Sequence, residues 1–191
     1  MLLNDLKGQL LLAMPSLEER QFKDSVILVC HHDQDGSMGL IINRPQDISI
    51  DDVLEDIHLT PNIPLLHALP KSRLISYEGG PLDPFRGFVL HDGWHIYEST
   101  MQITSEFHLT TSKDVLEEIA QGEGPEHFML ILGYTGWSAG QLELELLENH
   151  WLVAGANPHI VFEEPADLRW ALGAKSMGIE KSHLSSQVGH A

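Results

Sequence analysis

The stretch ILGYTGWSAGQLELELLEN, residues 131–149, can be read into two different folds. Gly136 to Gly140 has the form G-x-S-x-G, with an apolar run before it and a Leu/Glu-rich segment after it. In α/β hydrolases that pattern marks a tight strand-to-helix turn that projects a serine nucleophile from a parallel sheet. Ser138-Ala139-Gly140-Gln141 also has the S-x-x-Q form of a capping box, which needs no chemistry at all. The segment after it, Leu142 to Glu148, alternates like a strand but contains strong helix formers and no β-branched residue, so it is expected to be helical. The neighbouring elements decide between the two folds.

Upstream, the chain reads as hairpins rather than alternating strands and helices. Leu10 to Ala13 and Ser25 to Cys30 are short apolar runs bounded by Pro15 and by His31-His32-Asp33, as buried strands are. Asp35-Gly36 is a tight-turn dipeptide, which makes Met38 to Ile42 the neighbour of the preceding strand. Ser49-x-x-Asp52 predicts a helix start with Val53, Leu54 and Ile57 on its apolar face. Pro61, Pro64 and Pro70 make Thr60 to Ser72 a loop. Leu74 to Glu78, Gly87 to Leu90, Met101 to Leu109 and His127 to Tyr134 are strand candidates. Lys113 to Gln121, capped by Thr111 or Ser112 and ended by Gly122, and Pro165 to Met177 are expected helices. The pattern predicts one α+β domain over residues 1–191 with a mixed, largely antiparallel sheet.

Composition narrows the function. The 191 residues include 11 Lys+Arg against 28 Asp+Glu, a formal charge of −17. No basic run offsets it, so direct DNA binding, which depends on Lys and Arg neutralising phosphates, is not expected. Cys30 is the only cysteine, which excludes an intrachain disulfide and suits a cytoplasmic protein. No apolar run approaches the ~18 residues of a membrane span, and no membrane role is expected.

The hydrolase reading can be completed only on paper. Ser138, Asp167 and either His183 or His190 stand in the order of a hydrolase triad. Order is weak support in a chain with 12 histidines, and Glu78-Gly79-Gly80-Pro81 lacks the HGGG form of an oxyanion loop.

Several segments in shared order carry a family resemblance. They include Leu10 to Pro15, Gly39-Leu40-Ile41-Ile42-Asn43-Arg44-Pro45, Gly79-Gly80-Pro81, Arg86 to His91 and Leu132-Gly133-Tyr134, followed by Gly136-Trp137, Gly140 to Glu143, Trp151-Leu152 and Arg169-Trp170. Together they resemble the AlgH/YqgE family of bacterial proteins over most of the chain. The resemblance implies a barrel-like, bifurcated sheet surrounded by helices. It also implies that the Ser138 position tolerates glycine, which a nucleophile would not. The family name is linked to regulation of alginate synthesis, and some members are labelled transcriptional regulators.

Two further constellations complete the reading. Cys30, His31, His32, Asp33 and Asp35, or His91 with His95, offer metal-ligand types. Adjacent strand residues point to opposite faces, however, so His31 cannot join Cys30 and His32 from the same strand, and no metal or cofactor is expected. Arg44 and Arg86 are two of few arginines in an acidic chain, and both stand beside turn residues. Guanidinium forks suit carboxylates and phosphates, and glycine lets a ligand approach the backbone. The alternative is that each arginine pairs with an internal acid. The expected contact surface for a protein or small anionic ligand is therefore Asn43, Arg44, Gly80, Arg86, Gly87, Tyr134, Trp137 and Gln141. The expected function is a non-enzymatic regulatory or binding protein, with a serine hydrolase as the alternative.

Overall fold

The computed structural model describes residues 6–17, 19–61, 74–93 and 95–179. Most of the expected Thr60 to Ser72 loop, as well as His183 and His190, lies outside these residues. The strands are β1 (Gln9–Ala13), β2 (Val26–Asp33), β3 (Gly36–Ile41), β4 (Pro45–Ser49), β5 (Ile75–Glu78), β6 (Leu82–His91), β7 (Thr100–Gln102), β8 (His108–Thr110), β9 (Phe128–Ser138) and β10 (Trp151–Gly155). The α-helices among the described residues are α1 (Ile50–Asp56), α2 (Asp114–Gln121), α3 (Gln141–Leu147) and α4 (Arg169–Ser176).

The strands form one curled sheet in the order β10-β1-β2-β3-β9-β6-β8-β7, with β4 attached to β5 and β5 to β9. Among the described residues only the β5–β9 pair is parallel. The expected α+β class with a largely antiparallel, bifurcated sheet is what the chain adopts.

The fork lies on β9. Its first half pairs with β5 through Leu130, Ile131 and Leu132, and its second half pairs with β3 through Thr135 to Ser138. Between the two, Gly133 adopts φ +76°, a left-handed backbone that favours glycine. A side chain at Gly80 would collide with the Tyr134 carbonyl. Gly79 then closes the fork: its N–H donates to Leu132 O, and its own carbonyl accepts from Ile41 N–H.

Period-two alternation sorts the strand residues into cores on both faces. Leu10, Leu12, Val26 and Leu28 face the concave side, where Phe162, Trp170 and Ala174 cover them. Leu11, Ile27 and Val29 face the opposite side beneath Leu142 of α3, together with Trp137 and Trp151. Further along that side, α1 and α2 bury Leu54, Val115 and Ile119 against Val89 and Leu130.

Local signals behaved as their chemistry requires, with several adjustments. Ser49 and Asp52 form both halves of a capping box. Gly122 ends α2 in the left-handed conformation. The β2–β3 hairpin turns at Gln34-Asp35, with Gly36 already paired to Asp33. Neither Thr111 nor Ser112 caps α2; Asp114's own carboxylate takes the Val115 N–H. The expected Met101 to Leu109 strand is a hairpin of two short strands, β7 and β8. The last expected helix begins at Arg169, after a π-helical turn at His159–Glu163.

Candidate functional site

Ser138 sits on the wrong kind of turn for a nucleophile. It is the last residue of β9, paired with Gly36 of the antiparallel neighbour β3, and it is exposed. The strand-to-helix turn is present, but the surrounding parallel sheet of an elbow is not. No histidine among the described residues hydrogen-bonds its hydroxyl. Asp167 shares a pocket with Asn43, beyond the other end of β3, so it lies roughly 20 Å from Ser138 along an extended strand.

The capping box is half formed. Gln141 Oε1 accepts the Ser138 N–H at 3.0 Å, whereas α3 has Gly140 as its N-cap and no side-chain cap bond. Gln141 Nε2 donates to Glu145, and the other Glu145 oxygen accepts the indole N–H groups of Trp137 and Trp151 at 2.9 and 2.8 Å. Trp137 and Gln141 are thereby bound into a structural clasp between β9, α3 and β10.

Asn43 and Arg44 are likewise engaged internally. Asn43 Oδ1 accepts from Val26 N–H at 2.8 Å, and its amide donates to Asp24 O. Arg44 lies 3.5 Å from a Glu78 carboxylate oxygen and donates to Lys23 O. Gly80 serves the sheet fork described above.

Arg86 and Tyr134 come together in a different place. With His31, Met38, Phe88, Met101 and Leu109 they line an open groove of about 370 Å³, rimmed by Ser99 and Thr111. Strand β6 positions Arg86: between Leu82 and Gly87 its register against β9 shifts, and this bulge leaves residues 82–87 exposed. Arg86 and Phe88 face the groove, whereas Phe85, Gly87 and Val89 line a second concavity with Lys113 on the opposite face. The Arg86 guanidinium lies over the Phe88 ring, 5.2 Å from its centroid, and makes no ion pair or hydrogen bond with any described residue. No carboxylate among the described residues lines the groove. Met38, Phe88, Met101 and Leu109 carry no sequence signal for a site, because each reads as an ordinary strand residue facing a core. Of the candidate metal ligands, only His31 reaches the groove.

Those candidate ligands do not converge. Cys30 is buried, and burial pushes its thiol pKa up, away from the thiolate a metal would need. His31 bonds Asp33, His32 bonds Ser37, and His91 is bound between Asp92 O and Thr110 Oγ1. Among the described residues the group with converging ligand atoms is instead Asp92, Glu126 and His127. In it the His127 ring and backbone N–H both engage the Asp92 carboxylate, stapling the end of β6 to the start of β9.

Comparison with known proteins agrees with this architecture. Residues 10–182 match the AlgH-like family model. A UPF0301 protein of Vibrio vulnificus is 43% identical over 187 residues, covering 98% of this chain and 100% of the relative. Another from Paraburkholderia phymatum is 45% identical over 189 residues, 98% of this chain and 96% of the relative. The solution structure of the AlgH protein from Pseudomonas aeruginosa superposes with a TM-score of 0.76 at 41% identity, covering 97% of this chain and 96% of that one. The crystal structure of protein DIP2367 from Corynebacterium diphtheriae shares the fold at 19% identity, with a TM-score of 0.72 over 94% of this chain and 91% of that one. On sequence and fold together, this chain belongs to the AlgH-like family.

Proposed function

We propose that the protein is a cytoplasmic, non-enzymatic regulatory or binding protein whose contact face is the groove at Arg86 and Tyr134. One observation carries this reading: in a chain with 28 acidic residues, Arg86 has no acidic partner among the described residues and faces a concavity that none of their carboxylates lines. A cation left unpaired beside apolar surface is a recognition element rather than a stabilising one. Arg44, tied to Glu78, belongs to the framework. The net charge of −17 disfavours direct contact with DNA, and no helix among the described residues is long and apolar enough to cross a membrane.

The reading is tested by screening a library of small anions and candidate protein partners against wild type, Arg86→Ala and Arg44→Ala. Binding that survives Arg44→Ala and is lost in Arg86→Ala supports it. Equal binding by all three removes it.

A further inference from the structure

We infer that the occupant of the groove is a small amphiphilic monoanion: a fused-ring or short-chain apolar body with a single carboxylate or sulfonate charge held by Arg86. This rests on the reading of the groove as the binding face. The floor supplies the apolar half, with Met38, Phe88, Met101 and Leu109 presenting hydrocarbon, sulfur and an aromatic ring. Methionine is unbranched and polarisable, so the two thioethers adjust to an irregular apolar body better than branched side chains would. The volume of about 370 Å³ is at the lower end of the roughly 300–1,000 Å³ usual for small-molecule sites.

The charge count is set by what surrounds Arg86. Its face is occupied by the Phe88 ring, which leaves the edge of the guanidinium fork for an anion. Of the other two titratable side chains on the wall, Tyr134 offers a hydroxyl rather than a cation, and His31 is already engaged 2.8 Å from Asp33, whose carboxylate would repel a second negative charge. Ser99 and Thr111 on the rim are hydrogen-bonded to each other at 2.8 Å. One free cation among the described lining residues and a hydroxyl-bearing rim suit one negative charge. A polyphosphate would need several cationic groups, and Arg86 is the one arginine or lysine among the described residues of the lining.

The test uses three probes on the purified chain. 8-Anilino-1-naphthalenesulfonate is an apolar ring system with one negative charge, N-phenyl-1-naphthylamine is its neutral counterpart, and inorganic sulfate is an anion with no apolar body. The sulfonate dye should bind at one site per chain, and Arg86→Gln should weaken it about tenfold while changing the neutral dye by less than about twofold. Sulfate should compete only weakly. Arg86 is exposed, so the variant should keep the wild-type urea midpoint, which checks that the groove is intact. Unchanged sulfonate binding in Arg86→Gln would overturn the monoanion assignment, and so would sulfate competing as well as the dye. Either result leaves the groove a binding face as long as Met101→Glu still expels the dye. If neither dye binds wild type, the groove reading itself fails.

Discussion

The guanidinium of Arg86 lies over the ring of Phe88, two residues further along the same strand, with its central carbon 5.2 Å from the ring centroid. The contact holds the arginine in place without neutralising it. Arg44, by contrast, has Glu78 at 3.5 Å and the Lys23 carbonyl. Arg86→Ala should therefore change stability by less than about 0.5 kcal/mol. Arg44→Ala should cost up to about 1 kcal/mol, since its ion pair is partly solvated. Urea denaturation checks both; a larger loss for Arg86→Ala than for Arg44→Ala would assign Arg86 to the framework.

Ser138 should be dispensable. Its hydroxyl caps nothing, so Ser138→Ala should shift stability by less than about 0.5 kcal/mol. Gln141→Ala should cost about 1 kcal/mol, because Gln141 is the half of the box that forms. A fluorophosphonate probe should leave the wild-type chain unlabelled. A single adduct at Ser138 in a mass spectrum would restore the hydrolase reading.

Glu145 is the hub of its clasp. Replacing it with alanine leaves the part-buried Trp137 and Trp151 indole N–H groups without their acceptor and the exposed Gln141 amide to water, and should cost about 2–4 kcal/mol. The urea midpoint and tryptophan emission report it together. A cost below about 1 kcal/mol would mean that water replaces the carboxylate freely.

Acidification should destabilise the fold through His91. This ring is buried and its Nδ1–H donates to Asp92 O, which in the neutral ring leaves Nε2 to accept from the Thr110 hydroxyl. Burial, the largest cause, lowers its pKa below 6.5, so the unfolded chain takes the proton first. The resulting contribution is complete above 6.5 and is lost as pH falls through the folded value. Urea unfolding at about pH 7.5 and about pH 5.5 should show a larger loss for wild type than for His91→Asn, and equal losses would contradict this.

Arg169 is 1% exposed, and its guanidinium donates to the Glu164 and Ile42 carbonyls and lies 5.3 Å from the Tyr77 ring centroid. Arg169→Leu should cost at least about 3 kcal/mol, because buried carbonyls lose their donors. A thermal melt within a few degrees of wild type would show that the fold does not depend on this arginine.

What the sequence conveys and what it conceals follow from the range of the interactions. The capping box at Ser49 and Asp52, the turn before Gly36 and the glycine stop at Gly122 are contacts between residues a few positions apart, so short motifs announce them. Strand β10 is not announced: Trp151 to Gly155 has no turn signal of its own and exists because β1 offers it an edge some 140 residues earlier in the chain. The same is true of β4, whose five residues begin at a proline and pair only with β5. Arg44 and Arg86 look alike in sequence, each beside turn residues. They differ through Glu78, which β5 brings to Arg44, and through the β6 bulge, which turns Arg86 toward the groove. The G-x-S-x-G pattern misleads because it describes a turn, whereas a nucleophile elbow also requires the parallel sheet behind it.

The groove can be observed directly through its methionines. Of the six in the chain, Met38 and Met101 line it, whereas Met129 lies in the core. With methionine methyl groups labelled with carbon-13, titration with 8-anilino-1-naphthalenesulfonate should move the Met38 and Met101 signals in a saturable way and leave Met129 in place. The same titration of Arg86→Gln should need markedly more dye to reach the same shifts. Methyl shifts confined to other methionines, or none at saturating dye, would contradict the assignment of this groove as the binding face.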